Sequence, residues 1–255
     1  MAANPLSVQL YTLRELTAVD FANTLRQVKA IGYGAGEVAG YGNLKTAAAV
    51  RKACDDAGLI VSGIHQGLDP MEKNPQQAID DALTLGTKNI IIPWTAEDRR
   101  KTPQAATALC KSLDQLGEKS RKAGLTFSYH NHAFEFAKID GQKDLWDFML
   151  EQTNPQNVRF ELDVFWSQHA GVDPVDSIKR LSSRLDMLHM KDMAPGEEKK
   201  FAPCGTGIID LKAVHAAGKA IGIKWYVVEQ DRTYDVPPMD AIRTSFDNLK
   251  KLGIA

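Results

Sequence analysis

Residues 103–132 read PQAATALCKSLDQLGEKSRKAGLTFSYHNH. A long helical pattern over 103–123 stops at Gly124, and a short apolar run over 126–130 follows at once. That run ends on His130, with His132 two residues further on. A helix that stops on glycine and feeds directly into a buried-type strand is one unit of a parallel α/β fold.

The same unit recurs along the chain. Strand-like runs are predicted at 6–10, 34–38, 60–65, 89–93, 126–130, 158–163, 187–191 and 225–230. They lack the strict polar alternation of a sheet with one wet face, as strands of a covered parallel sheet do. Helical patterns lie between them at 20–31, 44–57, 74–85, 103–123, 143–152, 176–181, 210–220 and 240–252. Pro75 stands in the first turn of one, and Gly32, Gly58 and Gly86 follow others. Eight strand–helix units in about 250 residues predict an α/β fold of the (β/α)8 TIM barrel type, with residues 1–255 as a single domain. A doubly wound open sheet usually has fewer units and often carries a glycine-rich turn after its first strand. Here that strand runs on as Gln9-Leu-Tyr-Thr-Leu-Arg14, without glycine.

Composition narrows the function classes. The chain has 255 residues, is 44% hydrophobic, and carries a net charge of −1 from 31 basic and 32 acidic residues. No basic footprint for nucleic acid or a membrane surface is present. Cys54, Cys110 and Cys204 are few, odd in number and far apart, which favours a reducing compartment over a disulfide framework. The start, Met1-Ala-Ala-Asn-Pro, has neither a basic leader region nor a long apolar stretch. No transmembrane span is expected, and a cytoplasmic location is.

In such barrels the active site lies at the carboxyl ends of the strands. The polar residues placed there include Gln9, Glu37, His65, Trp94, His130, His132, Asp163, His189, Lys191, Glu229 and Asp231. Residues two apart on a strand face the same way, so His130 pairs with His132, Glu161 with Asp163, His189 with Lys191 and Glu229 with Asp231. Any one histidine here is equally explained as a hydrogen-bonded structural residue. As a set, His130, Asp163, His189 and Glu229 suit a divalent metal such as Mn, Co, Zn or Mg. A metal bridging a sugar carbonyl and its neighbouring hydroxyl stabilises an enediolate. Glu229 then serves as ligand and base, with His132 and Lys191 assisting. His65, Glu37, Trp94 and Trp166 are expected against the carbohydrate, although rim packing also accounts for the tryptophans. Cys204-Gly-Thr-Gly207 follows the seventh strand, where barrels often bind phosphate, and a plain turn into a capped helix accounts for it equally.

These residues resemble the sugar phosphate isomerase/epimerase superfamily with a xylose isomerase-like TIM barrel, related to the ketose 3-epimerases and to endonuclease IV. The resemblance covers essentially the whole chain. It is carried by Ser7-Val-Gln-Leu-Tyr-Thr-Leu-Arg14, Tyr129-His-Asn-His-Ala-Phe-Glu-Phe136, Glu161-Leu-Asp-Val-Phe-Trp166, Gly171-Val-Asp-Pro174, Leu188-His-Met-Lys-Asp192 and Val228-Glu229. It implies metal ligands at Asp163, His189 and Glu229. Ketose 3-epimerases have a glutamate where this chain has His130, and a histidine where it has Trp166. Their two-glutamate proton relay therefore does not carry over. The YHNHxxEF branch also resembles proteins acting on oxidised 3-keto sugars and glycosides. Endonuclease-type repair needs a denser ligand set and a basic face.

Three expectations follow. The first is a metal-dependent sugar or sugar phosphate isomerase/epimerase working through an enediolate. The second is a lyase or hydratase that eliminates from 3-keto sugars or glycosides at the same metal. The third is a sugar-binding or partner-dependent barrel without its own activity. The partner in the first two is a small carbohydrate, and the resemblance allows a homo-oligomer.

Overall fold

A computed structural model describes residues 6–254; the N-terminal stretch read above for a leader lies outside the described residues. Eight strands close into a parallel barrel: Ser7–Gln9, Ala35–Val38, Ile60–His65, Asn89–Ile92, Thr126–His130, Arg159–Asp163, Leu185–Met190 and Trp225–Val228. Each lies beside its predecessor, and the last returns to the first, with Ser7 opposite Val227 and Val8 opposite Val228. The (β/α)8 barrel expected from the strand–helix count is therefore what the chain forms.

The opening stretch shows how the units are built. Thr102 accepts a hydrogen bond from the Ala105 N–H and caps the helix Pro103–Lys122, whose first position is proline. Ala106, Leu109, Cys110, Leu113, Leu116 and Gly117 make its buried stripe. At Gly117 a Cβ would collide with the Asn157 carbonyl, so only glycine lets the helix lie this close to the chain entering the sixth strand. Gly124 turns the backbone at φ +78, and Thr126–His130 then pairs with Asn89–Ile92 on one side and Arg159–Asp163 on the other.

Side-chain parity divides the barrel. Phe127, Tyr129, Phe160, Leu162, Leu188 and Met190 point outward, fully buried among the helices. Inside, Ile91, Met187 and Val227, with Trp225 against them, form a small apolar plug. Above the plug, toward the carboxyl ends, the interior turns polar with Gln9, Glu37, His130, Glu161, His189 and Glu229, all buried.

Several boundaries differ from those read in the sequence. The first helix spans Arg14–Ile31, but Asp20 is non-helical (φ −149, ψ 89) and caps the segment after it through Asn23 N–H. The 20–31 pattern thus corresponds to the second of two merged helices. Short elements that were not anticipated include helices Leu68–Lys73 and Val164–His169 and a hairpin pairing Asp192–Met193 with Phe201–Ala202. Among the described residues no helix is long and apolar enough to cross a membrane.

Candidate active site

One ligand atom from each of His130, Asp163, His189 and Glu229 lies within 4.8 Å of every other. Four successive strands thus bring the four residues together. His130 Nε2 is 3.7 Å from Asp163 Oδ2, and His189 Nδ1 is 2.8 Å from Glu229 Oε2. The far nitrogen of each ring is also held. His130 Nδ1 lies 3.0 Å from Glu161 Oε2, while His189 Nε2 lies 2.8 Å from Glu37 Oε1 and 3.1 Å from Glu161 Oε2. For His130, the Glu161 carboxylate favours the proton on Nδ1 and aims Nε2 at the cluster; His189 has a carboxylate on each nitrogen and would give up the proton on Nδ1 to act as a ligand.

Glu161 is the residue that sequence reasoning left out of the site. Its Oε2 also meets His65 Nε2 at 3.1 Å, so one buried oxygen orders three imidazoles. His65, His130, Glu161 and His189 form a second, equally compact grouping beneath the first. The only sequence signal for Glu161 was its spacing two residues before Asp163. Glu37, expected against the substrate, does not reach the cavity wall. It is wholly buried, accepts a hydrogen bond from Gln9 Nε2 at 2.7 Å, and steadies His65 and His189 from behind.

Charge shapes this layer. Burial pulls His65 down, but Glu37 and Glu161 outweigh it and hold the ring up at about 9. The same opposition raises His189 well above an ordinary histidine. Burial lowers His130, and Glu161 does not compensate. Burial lifts Asp163 to about 6 despite Lys191 beside it. Lys191 Nζ lies 2.8 Å from Asp163, 2.6 Å from Glu229 and 2.5 Å from Asp231. Five carboxylates, of Glu37, Glu161, Asp163, Glu229 and Asp231, face Lys191, His65 and His189. Oxygens Glu37 Oε2 and Glu161 Oε1 are buried without a hydrogen-bond partner. Mixed N/O donors, more carboxylates than basic groups and an ammonium seated between Asp163 and Glu229 together fit a divalent cation.

The residues between the ligand candidates set their aim. Asn131 Oδ1 accepts from the Asp163 N–H at 2.8 Å, tying the fifth strand end to the sixth. Asp163 Oδ1 accepts from the Trp166 N–H at 3.1 Å and caps Val164–His169, which leaves Oδ2 to the cluster. His132 is stacked on Phe134 at 5.4 Å and lies 5.3 Å from Trp166, with a buried Nδ1 that has no partner. Burial, reinforced by Lys191, pulls it to about 4, so it is neutral at ordinary pH.

Glu135 holds this arrangement from the loop. Its carboxylate accepts from Tyr129 Oη at 2.8 Å and from the His132 N–H at 2.7 Å. Burial pushes the carboxyl up to about 7, against the lowering effect of those bonds. A carboxyl raised above its unfolded value takes up a proton on folding. Its contribution to stability is full in acid and is lost as pH rises through about 7. Glutamine removes the titration and keeps one acceptor oxygen for the His132 N–H. The stability of E135Q relative to wild type should therefore rise by about 2–3 kcal/mol from about pH 4 to about pH 8, measured by urea unfolding. A difference that does not change with pH would mean that the carboxyl is not raised.

The Cys204–Gly207 turn is self-filled. Backbone N–H groups of Met193, Gly205, Gly207 and Ile209 all donate to the Asp192 carboxylate, at 2.8, 2.8, 2.9 and 3.1 Å. A Cβ on Gly207 would collide with that carboxylate. The turn leads into helix Leu211–Ala220, capped by Asp210, as the plainer of the two sequence readings expected.

A cavity of about 900 Å³ opens over the cluster. His65, His130, His132, Lys191, Glu229 and Asp231 line its inner part. Tyr11, Trp94, Phe165, Trp166, Phe201 and Tyr234 make an aromatic wall, with Trp94 53% exposed at the mouth. Asp163 and His189 lie behind His130 and Glu229 rather than on the surface. Of this wall, only the two tryptophans were expected.

A closed parallel barrel with its ionisable residues gathered at the carboxyl ends of the strands defines a TIM barrel of the enzymatic type. Residues 25–252 match the xylose isomerase-like TIM barrel family, and the chain belongs to that family. It is similar to a sugar phosphate isomerase/epimerase from Parabacteroides distasonis ATCC 8503, at 27% identity and TM-score 0.84 over 96% of this chain and 97% of that one. It shares the fold of the IOLI protein with a bound zinc atom, at 17% identity and TM-score 0.73 over 98% of each chain. An inosose dehydratase from Lacticaseibacillus casei is 26% identical over 141 residues, which are 49% of this chain and 46% of that protein. The match thus spans less than half the length of that curated relative. The relatives' names include both isomerase/epimerase and dehydratase.

Proposed function

We propose that the protein is a divalent-metal-dependent enzyme that removes a proton next to the carbonyl of a small carbohydrate, and that it works as a sugar isomerase or epimerase through an enediolate. The observation that carries this reading is the buried N/O cluster of His130, Asp163, His189 and Glu229 beneath a large aromatic-walled cavity. These four residues hold the ion, with Mn, Co, Zn and Mg as candidates; zinc in the IOLI protein is a supporting parallel. Bound there, a divalent ion would supply Lewis acidity next to the reacting carbonyl. Glu229 reaches the cavity and takes the proton from carbon. Lys191 Nζ provides positive charge beside the developing oxyanion. Neutral His132 carries an unpartnered nitrogen with which to move a second proton. Trp94, Trp166 and His65 flank the sugar.

A second reading is favoured by His132 and His130 together. His130 stands on the fifth strand where a two-base epimerase would need a carboxylate, so the second carboxylate base of such an enzyme is missing there. The second chemistry is β-elimination or hydration of a 3-keto sugar or glycoside, and the inosose dehydratase similarity supports it. Both readings have residues 1–255 acting as one unit on a small molecule in the cytoplasm, without nucleic acid or membrane. Three buried, unbridged cysteines support the reducing compartment.

The test is metal analysis of protein purified without chelator, followed by incubation with ketoses and with a 3-keto glucoside in deuterated water. Deuterium incorporation with interconversion supports the isomerase, and release of the aglycone supports the lyase. A metal-free protein without affinity for added Mn or Co would leave the non-catalytic sugar-binding barrel.

A further inference from the structure

Lys191 is the cation that the chain itself contributes to the centre. Its Nζ touches three carboxylates, and two of the oxygens it holds are Asp163 Oδ2 and Glu229 Oε2. Those oxygens face His130 Nε2 and His189 Nδ1. Asp163 has no second oxygen to offer, because Oδ1 caps the following helix. A divalent ion taking these donors meets an ammonium on the same oxygens at the buried floor of the cavity, where like charges repel more strongly than in open water. The third partner, Asp231, stands outside the ligand set, on the cavity wall and 21% exposed. It faces the same way as Glu229 and already holds the lysine at 2.5 Å.

We propose that a divalent ion entering the site displaces the Lys191 ammonium from Asp163 and Glu229 and leaves it on Asp231. The inference rests on the metal reading above and adds a role for two residues outside the ligand quartet. The displacement makes metal affinity weaker than the quartet alone would give, because loading must break two ion pairs. Asp231 is then a positioning residue that keeps the charge of Lys191 beside the substrate.

The experiment is calorimetric titration of chelator-stripped protein with MnCl2, using wild type, K191M, D231N and the double variant. K191M should bind Mn about ten-fold more tightly or better. D231N should weaken binding by about three-fold or more in the wild-type background and leave it nearly unchanged in K191M. Equal weakening by D231N in both backgrounds would mean a plain charge effect and would overturn the displacement. Binding by wild type with no gain in K191M would overturn it while leaving the metal reading intact. Binding by K191M alone would support displacement in its strongest form. Binding by neither removes both readings. Melting followed by circular dichroism supplies the folding control. Metal-free K191M should melt below wild type, and Mn should restore more of its stability than it adds to wild type. K191Q, which keeps a hydrogen-bond donor without the charge, should show the same tightening if K191M does not fold.

Discussion

Glu229→Gln is expected to stop solvent-deuterium exchange into a keto-sugar substrate and to lower kcat/KM by about 10³-fold. The amide cannot take a proton from carbon. Burial works against ionisation of Glu229, but Lys191 and His189 outweigh it and hold the carboxyl well below the usual range. The group is therefore ionised at neutral pH, as a base must be. Its Oε2 is also the atom shared by Lys191 at 2.6 Å and His189 at 2.8 Å, so the variant should lose metal affinity as well. Proton NMR in deuterated water reads the exchange directly, and titration with Mn reads the affinity. Exchange that survives in a variant with weakened metal binding would assign the base elsewhere, with His132 the first alternative.

Glu161→Ala should produce the largest loss of stability among the site residues. Its carboxylate is fully buried, and three imidazoles converge on one of its oxygens at 3.0–3.1 Å. Without it, His65 keeps only Glu37, His189 keeps Glu37 and Glu229, and His130 loses the carboxylate on its Nδ1. Removing one partner from a buried charged network costs about 3–5 kcal/mol. Urea unfolding should show this as a lower midpoint with an unchanged slope. Metal affinity should fall about 10–100-fold, because the rings are no longer aimed. Glu161→Gln, which retains an acceptor oxygen, should lose less of both. A midpoint within error of wild type for the alanine variant would show that water replaces the carboxylate without cost.

The barrel was legible because strands covered on both faces read as apolar runs, and because glycine marks where a helix must stop before the next run. The fifth unit shows both signals, and its predicted strand, 126–130, matches the strand formed. Strand-end polarity likewise pointed to His130, Asp163, His189 and Glu229, because parity places alternate side chains inside the barrel. What could not be read was which ring nitrogen faces which carboxylate. That depends on the relative heights of strands far apart in sequence. Glu161 was overlooked for this reason. Within its own strand it looks like a spare partner of Asp163, and only the closed barrel shows three rings around it. Glu37 was taken for a cavity residue for the same reason. The short hairpin that brings Phe201 to the aromatic wall has only two residues per strand, too few for a periodic signal.

The polar belt inside the barrel also bears on how the chain folds. Its hydrogen bonds span long intervals: Glu37 to His189 is 152 residues apart, and His65 to Glu161 is 96. Contacts that distant form late, after the intervening chain has been gathered in. The first and eighth strands must pair before Glu37 and Glu229 can flank the same histidine. The quartet itself needs no seam, because its four strands neighbour one another in the sheet. Until the seam closes, however, His189 lacks Glu37, one of the two carboxylates on its Nε2. A half-assembled barrel therefore has the donors without all of the groups that steady them, and full activity during refolding should appear only when the two ends of the sheet join.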